Sequence, residues 1–117
     1  MSHDFRLYFN RKRQWSEVYL HDVHPNTFHK GGGGRWGYFT PVRKNSRSGS
    51  FGELHFVKRR LRYDLIVHEL FHLAVDYVWS KGQVIDRRNE EKMAEFMDGL
   101  VRNFVRELRK IDPEVKL

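Results

Sequence analysis

The chain has 117 residues, 39% of them apolar, which is enough for one hydrophobic core and too few for two, so a single domain over residues 1–117 is predicted. It has no cysteine, which excludes disulfide staples and thiolate metal sites and leaves histidine and carboxylate as the only ligands for a transition metal. A net charge of +7, with clusters at Arg11-Lys12-Arg13, Lys58-Arg59-Arg60-Leu61-Arg62 and Arg87-Arg88, suits an acidic or DNA-bound partner, although solvated helix and strand faces also account for such charge.

The first residues, Met1-Ser2-His3-Asp4, carry no apolar signal core, and no run approaches the length of a membrane span, so a cytoplasmic location without membrane contact is expected. Phe5 to Phe9 alternates apolar and basic residues, and Trp15 to Val23 continues with β-formers, predicting two strands, with a short helix starting at Ser16-Glu17 as the alternative. His24-Pro25-Asn26 through Gly31-Gly32-Gly33-Gly34 reads as a long surface loop. The four glycines lack the Lys-Ser or Lys-Thr of a phosphate loop, which leaves a flexible connection or a flap over a site.

Arg35 to Val42 alternates again, Arg43 to Ser50 is a polar turn, and Phe51 to Lys58 gives another strand, so an antiparallel hairpin is predicted here. A helix then starts near Arg60 to Asp64, with Asp64 as a plausible N-cap, and ends before Gly82. Its sequence is apolar on most sides, which predicts a central buried helix. A second helix runs from about Asn89 to Lys110 and stops near Asp112-Pro113, with an apolar stripe at Met93, Ala94, Met97, Leu100, Val101, Phe104 and Leu108. The expected fold class is α+β: a small antiparallel or mixed sheet packed on these two helices.

The first of those helices contains His68-Glu69-Leu70-Phe71-His72, an H-E-x-x-H sequence. Residues four apart share a helix face, so both imidazoles can close on one metal ion with Glu69 beside them as general base. A zinc site with an open position needs a third protein ligand. No histidine follows His72, which leaves Asp76, Asp86, Glu90, Glu91 or Glu95. Glu90 lies one turn before Met93 and Ala94 on the expected core-facing stripe, where an unpaired carboxylate would be costly, while Glu91 points about 100° away. Asp76, one turn beyond His72, suits the support of a ligating imidazole through its second nitrogen.

The run His68-Glu69-Leu70-Phe71-His72-Leu73-Ala74-Val75-Asp76-Tyr77 resembles the active helix of thermolysin-type gluzincins, and Asn89-Glu90 resembles the Asn-Glu pair that supplies their third ligand. Residues 51 to 101 are similar to the small ImmA/IrrE-like metallopeptidases, so the fold would be a minimal gluzincin. The resemblance implies zinc held by His68, His72 and Glu90, hydrolysis of a protein or peptide substrate with Glu69 as base, and substrate paired along an exposed edge of the strand Phe51 to Phe56. Ala94 stands where those enzymes support the ligand with Asp, and their downstream histidine is missing. Tyr77, Tyr63 and His55 are the candidates for an oxyanion donor. The alternative is a zinc-binding, non-hydrolytic regulatory module whose basic surface holds nucleic acid or a DNA-bound partner.

Overall fold

The computed structural model describes residues 3–23, 36–41 and 49–117. The glycine run Gly31 to Gly34, and with it the flap reading, lies outside the described residues. Four strands form one sheet, β1 (Phe5–Phe9), β2 (Gln14–His21), β3 (Gly37–Pro41) and β4 (Ser50–Val57), followed by helices α1 (Tyr63–Ser80) and α2 (Glu90–Ile111). The α+β class is as expected, with both helices on one face of the sheet: α1 lies against β3 and β4, and α2 against β1.

The alternation in β1 explains that layering. Phe5, Leu7 and Phe9 enter the core, whereas Arg6 and Tyr8 take the other face. β2 runs antiparallel to β1 with Phe5 opposite Val18. The turn between them holds Asn10, Arg11 and Lys12 at φ of 51°, 56° and 65°, three consecutive left-handed residues of which only Asn takes that region readily. Each of the other two costs about 1–2 kcal/mol in that conformation.

The strand order is β1-β2-β4-β3, with β2 and β4 parallel and the other pairs antiparallel. The predicted hairpin of β3 and β4 is present. The expected role of Phe51 to Phe56 as an exposed edge is corrected: β4 is flanked by β2 and β3, so its main-chain groups are already paired, and β3 forms the sheet edge beside α1.

Aromatic rings fill the space between the layers. The Phe104 ring meets Phe5 and Phe56 edge-on, each at 5.3 Å, and Phe9 meets Phe51, Tyr77 and Phe96 edge-on at 5.2 to 5.9 Å. Such pairs add about 0.5–1.5 kcal/mol each beyond the area they bury.

Two expectations about α1 change. Its N-cap is Arg62 rather than Asp64, which lies in the first turn and pairs with Arg62 at 3.1 Å on the surface. The helix is also not buried all round. Ile66, Leu70, Leu73, Ala74 and Tyr77 enter the core, but Val67, Phe71 and Trp79 are exposed because nothing among the described residues covers that side.

The C-terminus of α1 is fixed by Gly82 at φ 71°, whose N–H donates to Trp79 O (2.9 Å) while that of Gln83 donates to Val78 O (3.2 Å). No helix among the described residues is long and apolar enough to cross a membrane.

Candidate metal centre

His68 and His72 project from the open side of α1 as the four-residue spacing requires. Their Nε2 atoms lie 3.3 Å apart, with the rings nearly perpendicular. Two nitrogens each bonded to a tetrahedral zinc at about 2.0–2.1 Å are about 3.3–3.4 Å apart, so the pair already has the edge length of a zinc site. Glu69 sits beside them, 4% exposed, with Oε2 3.9 Å from His68 Nε2. The three residues form one group whose ligand atoms fall within 4.8 Å of one another, and among the described residues no other such group of three occurs.

The burial of Glu69 follows from helix phase. One residue on from His68 turns about 100° around the helix, to the side of α1 that faces β3, and there Glu69 is buried while both imidazoles remain in solvent. A cation held by the two histidines would lie beside this carboxylate and attract it.

A cavity of about 450 Å³ opens between α1 and the β3 edge, bordered by Glu69, His72 and Asp76 on the polar side and by Phe39, Phe71 and Trp79 among the apolar groups. Asp76 is half-buried, and loss of water pushes its carboxyl above the ordinary range. No hydrogen bond among the described residues joins it to His72, so its expected support of that imidazole is not seen.

Glu90 does not join the group. It is the first residue of α2 and exposed, and the buried stripe of that helix begins only at Met93. The physical reason is position: the N-terminal turn of α2 lies by the C-terminal end of α1, in a region bordered by Tyr77, Lys81 and Met93. Tyr77 is about 140° around α1 from His72. At that place Glu90 and Glu91 complement the positive end of the helix dipole, a role that either residue fills.

The oxyanion candidates also separate from the pair. Tyr77 is a core residue, stacked on Phe96 at 5.0 Å and capped by Lys81 at 4.4 Å. Tyr63 is exposed at the start of α1, about 140° from His68. His55 belongs to the helix-free face of the sheet, where it meets His21 and Glu53. The residues that sequence reasoning missed are Phe39 and Pro41, which wall the cavity from β3, with Tyr38 just before them on the same edge strand. Their alternation was legible, but not their placement beside the helix.

Comparison with protein-family models, curated proteins and solved structures finds no match. The functional reading therefore rests on the geometry and chemistry of the site itself.

Proposed function

We propose that the chain is a zinc-dependent metallopeptidase whose metal is held by His68 and His72 and whose general base is Glu69. The observation that carries this reading is the 3.3 Å separation of the two Nε2 atoms with a buried carboxylate alongside. Zinc supplies Lewis-acid polarisation of a carbonyl and makes water acidic enough to ionise near neutral pH.

The chain's own groups account for the rest. Glu69 takes a proton from the attacking water as the water oxygen bonds to the carbonyl carbon, then returns it to the amine nitrogen as the C–N bond breaks. Phe39, Phe71 and Trp79 give the cavity an apolar wall that suits an apolar substrate side chain.

Glu90 is the third ligand in this reading, and it makes no hydrogen bond or ion pair among the described residues that would hold it elsewhere. Reaching the pair requires the first turn of α2 to leave its place beside Tyr77 and move around α1 to the open side. That requirement favours one second reading, a zinc-holding module without hydrolysis, in which the two histidines bind the ion with no properly completed open site. Zinc content of the untagged chain tests both readings, and peptide hydrolysis by the wild type against Glu69→Gln separates them. An absence of bound zinc would remove both.

A further inference from the structure

A second, larger groove of about 990 Å³ lies between the free edge of β1 and α2. It draws its charge from parts of the chain far apart in sequence. Arg6 comes from β1, Arg11 and Lys12 from the turn after it, and Arg106 and Lys110 from the last turns of α2, against only Glu95 and Glu107. Glu107 is already engaged by Lys110 at 3.1 Å and Arg106 at 3.9 Å.

Two independent features mark the groove as more than a solvated face. Arg6 Nε is buried and finds no hydrogen-bond partner, although a buried guanidinium N–H is costly to leave unpaired. The turn that carries Arg11 and Lys12 is held in left-handed backbone that these residues rarely take, and such outliers concentrate where a ligand is met. An exposed ring borders the same groove at the free edge of β1. Tyr8 is 38% exposed and lies 5.9 Å from Trp15, which stands behind it with the Arg6 guanidinium 4.6 Å from its ring centroid and its indole N–H donated to Glu17.

From these features we infer that the groove binds single-stranded nucleic acid, with Arg11, Lys12, Arg106 and Lys110 along the phosphates and Tyr8 as a stacking surface for a base. Cations alone would serve an acidic peptide equally well. The exposed ring set among them favours a ligand with π-faces, and stacking requires bases not already paired in a duplex. The site is separate from the histidine pair and does not depend on the peptidase reading.

The test is fluorescence anisotropy of a labelled oligothymidylate across a salt series, using the full chain. Arg106→Gln with Lys110→Gln is expected to weaken binding at least tenfold and to reduce the slope of log K against log salt by about 1.4, the share of two phosphate contacts on a single strand. Arg87→Gln with Arg88→Gln changes the net charge equally, away from the groove, and is expected to weaken binding less than twofold. Tyr8→Ala is expected to weaken oligothymidylate binding at least fivefold while leaving inorganic polyphosphate binding unchanged. Thermal unfolding of each variant verifies the fold, and all but Tyr8→Ala alter only exposed charged side chains. Equal losses from the two double variants would reduce the effect to net charge and overturn the proposal. Competition by polyglutamate as strong as that by unlabelled oligothymidylate would overturn it in favour of an acidic protein partner.

Discussion

His21 Nε2 and His55 Nδ1 lie 2.9 Å apart across the parallel pair of β2 and β4, while the other nitrogen of His55 lies 3.1 Å from Glu53 Oε1. With Glu53 ionised, His55 donates through Nε2–H and its Nδ1 accepts from His21, which fixes the tautomer of both neutral rings. Tyr19 and Tyr38 stack on the two faces of the His55 ring at 4.6 and 4.5 Å and keep water from it.

Burial lowers the titration of both histidines. Glu53 opposes the shift at His55, and Asp4 opposes it at His21, without reversing either. A folded pKa below the ordinary 6.5 means that the unfolded chain takes up protons first as the medium is acidified. Stability is therefore full above that value and declines as pH falls through it toward the folded pKa. Melting temperature in the presence of a chelator should be flat from about pH 8 to 7 and drop once the pH falls below about 6.5, and His55→Gln should lessen the drop. A wild-type melting temperature unchanged over the acidic interval would contradict this account.

Replacing Glu69 by Gln keeps the shape of a buried side chain but removes its proton affinity. Zinc content should remain near that of the wild type, while peptide hydrolysis should fall by about 10²- to 10⁴-fold. Full activity in the variant would exclude Glu69 as the base.

Zinc affinity measured by competition with a chromophoric chelator should collapse in His72→Ala, because one of two converging nitrogens is lost. Glu90→Ala should weaken it at least tenfold, and Glu91→Ala should leave it near wild type. Equal and small effects at the two glutamates would show that α2 does not close on the pair, and would favour zinc holding without hydrolysis.

Phe104 and Phe71 should respond in opposite ways. Phe104 is fully buried among Phe5 and Phe56, so Phe104→Ala should cost about 3–5 kcal/mol in denaturant unfolding. Phe71 is 49% exposed, and Phe71→Ser should change stability by no more than about 0.5 kcal/mol. Because Phe71 borders the cavity with His72, the same variant should raise KM for peptides with large apolar side chains.

The sequence made the local structure legible wherever one periodicity dominated. Phe5, Leu7 and Phe9 announced a strand with one buried face, and Gly82 marked the end of α1 to within two residues. The phase of α1 was obscured because apolar residues occur all round it, and which side stays open depends on where the sheet ends. The central position of β4 was hidden for a related reason: its parallel partner β2 lies far back in the chain. The histidine pair needed only its own four-residue spacing, whereas the place of Glu90 depended on the packing of a second helix. The basic groove was invisible as a unit because Arg11 and Lys12 meet Arg106 and Lys110 only after the ends of the chain come together.

Gly52 ties the sheet to the cavity beside the histidine pair. It lies in β4 at φ 147°, beside the point where the pairing with β2 shifts register, and a Cβ there would stand 2.6 Å from the Phe39 ring and 2.7 Å from Thr40 O. Phe39 also walls the cavity that His72 and Glu69 border. A methyl group at residue 52 would thus displace the Phe39 ring or the β3 backbone, so the shape of that cavity is set partly by an atom that residue 52 does not have.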